Sequence, residues 1–182
     1  FTIKDKNTAF YEVKRVVTVL NENAKEYLNF VNRSDKFHVL EDAEIKLYDL
    51  TGKKLNSWSK KEMQSGKYGN ELVPEGKYTL LNVNATAYPV TMELYYSVKY
   101  KGILWLPPYI LQSPGKSVQH SALEVEVPSA LGIRYKLVNT DKKPKISTIG
   151  TKEIYRWEIN GQTPLKWENH SGSYENIFPL VY

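Results

Sequence analysis

From Val90 to Tyr100 the apolar residues fall on every second position: Val90, Met92, Leu94, Tyr96, Val98 and Tyr100. Thr91, Glu93, Tyr95, Ser97 and Lys99 lie between them. A period of two is the mark of a β-strand with one buried and one wet face. The pattern recurs along most of the chain, and no segment shows a convincing long helical period. Antiparallel sheets are therefore expected rather than an α/β fold.

At 182 residues the chain can bury roughly 70% of its unfolded surface, so it needs no disulfide or metal to hold it. It contains no cysteine, which removes thiol catalysis, cysteine zinc sites and disulfides together. The formal net charge is +5. The basic pairs Lys14–Arg15, Lys53–Lys54, Lys60–Lys61 and Lys142–Lys143 are scattered along the chain. A nucleic-acid binder concentrates such charge on one face, so no nucleic-acid partner is expected. No stretch approaches the ~20 apolar residues of a membrane span. Phe1 opens the chain and Phe178-Pro179-Leu180-Val181-Tyr182 closes it. Both ends are abrupt, and the chain is expected to be an N-terminal fragment of a longer protein.

Strands are expected at about 10–20, 27–31, 43–48, 53–58, 77–84, 90–100, 118–127, 132–138, 145–149 and 153–159. Asp49-Leu50-Thr51-Gly52 reads as a hairpin turn with glycine in the left-handed position. Asn21–Glu26 reads as a loop or one helical turn. Ser59, with Glu62 three residues on, reads as the cap of a short helix. Residues 65–76 read as loop, and Asn160-Gly161 as a second hairpin turn. Pro164 demotes the returning segment to an edge or irregular strand. The expected architecture is all-β: one large two-sheet antiparallel β-sandwich, a single domain over 1–182. Residues 160–182 would form a loosely packed linker or edge.

The chemistry-bearing residues do not assemble into a recognisable catalytic pattern. His38, His120 and His170 lack metal-ligand spacing, and no Gly-x-Ser-x-Gly elbow is present. Glu124 and Glu126 share one face of a strand, but Leu123, Val125 and Val127 claim the buried side. The acids therefore belong to the wet face rather than to a carboxylate pair across a sugar. The glycines Gly66, Gly69 and Gly76 form no phosphate loop. No catalytic, metal or cofactor-binding residue is expected. The aromatics are more suggestive, with 14 tyrosines and four tryptophans. Gly102–Leu111 is intensely apolar around Pro107-Pro108. Exposed, it is a docking patch; buried, it is a loop folded over one end of the sandwich, which is the expectation. The candidate binding residues are Trp105, Pro107, Pro108, Tyr109, Trp167 and Phe178.

The order of several segments resembles a bacterial domain of unknown function found directly N-terminal to transglutaminase-like (papain-fold) domains. The resemblance spans about residues 1–180. It is carried by Val16–Asn21, by Ala43–Leu55 followed by Lys60-Lys61-Glu62-Met63, by Tyr95–Tyr100 followed by Pro107–Gln112, and by Ser121–Pro128. It implies an exported, periplasmic or secreted parent protein whose Cys–His–Asp site lies in the following domain. No functional residues carry over. The function so implied is that of a non-catalytic accessory domain, not an enzyme. It positions or presents substrate to that following domain of the same chain, its expected partner. The alternative is a carbohydrate- or surface-binding module with a glycan or protein ligand.

Overall fold

A computed structural model describes residues 1–68, 76–102, 106–165, 173 and 177–182. The described strands are β1 (Thr2–Asp5), β2 (Thr8–Val19), β3 (Asn29–Ser34), β4 (His38–Tyr48), β5 (Lys54–Ser59), β6 (Gln64–Tyr68), β7 (Gly76–Asn82), β8 (Val90–Lys101), β9 (Tyr109–Ile110), β10 (Val118–Pro128), β11 (Leu137–Val138), β12 (Lys145–Ile149), β13 (Lys152–Gln162) and β14 (Leu180–Val181). Helix is confined, among the described residues, to 3-10 turns at Glu22–Leu28 and Lys60–Glu62. The all-β expectation holds. The chain divides into two compact units, residues 10–102 and residues 1–9 with 103–182.

In the unit of residues 10–102 the strands run in the order β2-β8-β4-β5, with a three-stranded sheet β3-β7-β6. The alternation that defines β8 fixes its faces. Val90, Met92, Leu94 and Val98 are buried while Glu93 is exposed. Ile45 pairs with Leu94 and Leu47 with Met92 across the β4–β8 ladder, so one face of both strands is apolar. The small sheet packs there, with the Phe30 and Tyr96 rings 5.4 Å apart. A register shift between Leu40 and Asp42 interrupts β4. The Lys60 ammonium donates to the carbonyls of Leu40 (2.6 Å) and Glu41 (3.0 Å) at this irregularity. The Ser59 cap forms as the sequence indicates, its N–H and hydroxyl both donating to Glu62 Oε2.

In the other unit the order is β12-β13-β10-β1, with a three-stranded sheet β11-β14-β9. The expected single pair of facing sheets is thus corrected. The long strands β8 and β10 each present an apolar face, and a different small sheet lies with each. Pairing in this order is antiparallel as expected except at one short parallel pair. β1, not recognised as a strand from the sequence, runs parallel to β10 with Thr2 opposite Glu126, and Glu126 N–H donates to Phe1 O at 2.8 Å.

Two turn readings are also corrected. Asn160-Gly161 is no hairpin: β13 continues through it, pairing Asn160 with His120 and Gln162 with Val118. Long-range pairing with β10 overrides the local turn preference. The reversal lies instead at Gly150-Thr151, between Ile149 and its partner Lys152, where Gly150 adopts φ +61°, as the first position of a two-residue hairpin loop favours. The loop expected over 65–76 contains β6 and the start of β7. Gly66 faces Tyr78 and Gly76 faces Tyr68 across the ladder, and a β-carbon on either glycine would collide with the opposite ring. Glycine in these strands makes room for an aromatic ring laid over the backbone.

The expected looseness after Asn160 does not extend to the described C-terminal residues. Phe178, Leu180 and Val181 are buried.

The β8 core and the β4–β5 turn each give a measurable outcome. Leu94 is 4% exposed, so Leu94→Ala is expected to cost about 2–5 kcal/mol in chemical denaturation. Asp49 closes the β4–β5 turn, accepting from the Thr51 hydroxyl (2.7 Å) and from the N–H groups of Thr51 and Lys53. The Thr51 hydroxyl holds its carboxyl below the usual range; desolvation opposes it, and the N–H groups of Lys53 and Thr51 add to the lowering. A depressed acid stabilises the fold above its unfolded pKa, and that stability is lost as pH falls through the folded value. NMR titration should place the Asp49 midpoint below that of an ordinary aspartate, and Asp49→Asn should remove this acid-range component.

Candidate functional site

In the unit of residues 1–9 and 103–182, β10 sends Leu123, Val125 and Val127 to one side and Glu124 and Glu126 to the other. Trp157 pairs with Leu123 across the β10–β13 ladder and so shares the apolar face. Ile3 of β1 is also buried; it alternates with Thr2, the partner of Glu126, and joins the same side. The acids on the opposite side engage cations: Arg156 with Glu124 (3.2 Å) and Glu158 (3.1 Å), and Lys152 with Glu126 (2.6 Å). The reading of Glu124 and Glu126 as a wet face holds.

The apolar face is only partly covered. β9 lies over one end, where the Tyr109 hydroxyl hydrogen-bonds the Ser121 hydroxyl. Farther along, a groove of about 540 Å³ remains. Its walls include Ile3, Leu123, Val125, Val127, Trp157 and Val181, all buried. Leu106, Pro107 and the segment 131–135 complete it, and its rim is exposed at Asp5, Lys6, Leu131, Arg134, Tyr135 and Tyr182. The Tyr135 ring meets Trp157 in a T-shaped contact with centroids 5.2 Å apart. Trp157 Nε1 is buried and has no hydrogen-bond acceptor among the described residues.

Of the residues singled out in the sequence, Pro107 lines this groove. Pro108 is half-buried beside it. Tyr109 belongs to β9; burial raises its hydroxyl pKa, with the Ser121 hydrogen bond acting in the opposite direction. Phe178 is completely buried and accordingly belongs to the core rather than to an exposed edge. Trp105 and Trp167, like His170, lie outside the described residues. The sequence reading missed the groove's Trp157, Tyr135, Arg134 and Lys6. Leu123, Val125 and Val127 were recognised as a buried side, and the cross-strand position of Trp157 was the signal left unused.

The remaining candidates stay apart. His38 Nδ1 lies 3.1 Å from both carboxylate oxygens of Asp35, an acid that also takes the N–H groups of Phe37 and His38. His120 Nδ1 contacts Asn160 Oδ1 at 2.8 Å. No cluster of three or more metal-ligating side chains occurs among the described residues.

The model of a family described as a domain of unknown function with a solved structure, DUF3857, matches residues 5–166. Among solved structures, a chain from Parabacteroides distasonis named a "putative protease" is similar over 99% of this chain, with a TM-score of 0.81 and 12% identity. That likeness is one of fold. This chain spans 37% of that protein's length. No curated protein matches the sequence.

An indole without an acceptor contributes through its area and not through its N–H. Trp157→Phe is therefore expected to cost about 1 kcal/mol, against about 3–5 kcal/mol for Trp157→Ala. Denaturant midpoints of the two variants check this. Comparable losses would mean that the N–H is satisfied and stabilising.

Proposed function

Because the chain belongs to the DUF3857 family, we propose that it is a non-catalytic β-rich accessory domain of a larger exported bacterial protein. It positions or presents substrate to a following transglutaminase- or protease-like domain. The observation that carries this reading is one of proportion: the same fold makes up 37% of a longer chain named a "putative protease". The composition agrees, since a sequence without cysteine cannot supply the thiolate nucleophile of a papain-type site. The arrangement of charge agrees too. Glu124, Glu126 and Glu158 pair with the cations Arg156 and Lys152 of β13, while the open groove is walled by hydrocarbon. Apolar grooves with few polar groups bind and orient; general acid–base chemistry needs titratable groups at the reacting atoms. Export to the periplasm or cell exterior is part of the same proposal.

The parent reading frame should encode a Cys–His–Asp domain after Tyr182. In that protein, deleting residues 1–182 should leave turnover of a small activated ester within about threefold while raising KM for protein substrates at least tenfold. The isolated chain should turn over neither. Hydrolysis by the isolated chain, or a parent without such a domain, would overturn the reading. A glycan-array signal that competes with protein substrate would favour the carbohydrate-binding alternative.

A further inference from the structure

We propose that the groove on the apolar face of β10 is a binding site for a free medium-chain acyl carboxylate, a fatty acid. Its volume of about 540 Å³ falls within the roughly 300–1,000 Å³ of small-molecule sites. Leu123 and Val125, the less deeply buried of its β10 residues, line it together with Leu106, Pro107, Leu131 and Ile133, side chains that offer hydrocarbon and no hydrogen-bond acceptor. A peptide laid there would bury backbone N–H and C=O groups against hydrocarbon, each unpaired group at a substantial cost. A methylene chain carries no such groups.

The rim supplies the preference for a negative head group. Lys6 and Arg134 both border the groove and are exposed. Neither has a hydrogen bond or ion pair among the described residues. Asp5 also borders the rim, but its Oδ1 accepts the Asn7 N–H at 2.7 Å, and the balance of the three side chains is one positive charge. An apolar body with a single carboxylate complements both parts of the site.

Isothermal titration of the chain with decanoate and dodecanoate, below their micelle concentrations, tests this. Binding should be one to one, and dodecanoate should bind about tenfold tighter for its two extra methylenes. Decyltrimethylammonium should bind at least tenfold more weakly than decanoate. The Lys6→Gln/Arg134→Gln double variant should weaken decanoate severalfold and leave decanol unchanged. Leu131→Glu, at a rim position 39% exposed, should abolish binding of both; circular dichroism checks that its fold is kept. No heat with dodecanoate at millimolar concentration, equal affinity for anion and cation, or no response to the double variant would overturn the site. So would tight association with phosphatidylglycerol vesicles without binding of free dodecanoate. None of these results bears on the enzymatic assays of the parent protein, so the two proposals fail separately.

Discussion

The apolar side of β10 is the surface on which the unit of residues 1–9 and 103–182 depends. Leu123, Val125 and Val127, with Trp157 opposite Leu123 and Ile3 on the parallel strand β1, make one continuous hydrocarbon face. Each such side chain is worth roughly 1.5–3 kcal/mol when fully withdrawn from water. A sheet must bury such a face against another element. The chain covers it with its own end: Phe178, Leu180 and Val181 are buried, and β14 lies between β9 and β11. The last residues are thus structural, held by the reciprocal backbone pair of Lys136 and Tyr182 at 2.9 Å.

The groove arises from a mismatch of lengths. β10 has 11 residues, about 36 Å of strand at roughly 3.3 Å per residue. Each strand of its covering sheet has only two, about 7 Å on the same scale. The cover closes the end of β10 near Ser121, where Tyr109 is hydrogen-bonded, and leaves the stretch from Leu123 to Val127 bordered by the 131–135 segment. Tyr135 and Leu131 border the opening. Site and fold therefore share one origin: residues that stabilise the sheet also line the cavity.

What was legible in the sequence was whatever one strand or one turn decides alone. β8 announces its faces because its alternation is complete over eleven residues. The Asp49–Lys53 turn announces itself because Asp49 and Gly52 carry its whole chemistry. The features that escaped are set by distant partners. Asn160-Gly161 has ideal turn residues, yet β10 is long enough to pair through it, and pairing won. Gly66 reads as a loop former until Tyr78 is seen opposite it. β1 is four residues long and has meaning only beside β10. Among the candidate binding residues, Phe178 illustrates the same limit: an aromatic near a chain end reads as exposed, and only the packing of β14 reveals that it fills the core. Pro107 was found because the Pro107-Pro108 step is locally conspicuous. Arg134 and Lys6 were missed because they lie far apart in sequence and meet only at the rim.

The C-terminal strand is an integral cover of the β10 face, and the groove is what this cover leaves open. Native-state hydrogen exchange at the amides of Leu111 and Tyr182, which donate to Pro179 O and Lys136 O, tests it most directly. Protection close to that of Val125 in the centre of β10 is the predicted result. Exchange as fast as at the exposed edge strand β12 would contradict it, because the cover would then be opening independently of the sheet it is meant to complete.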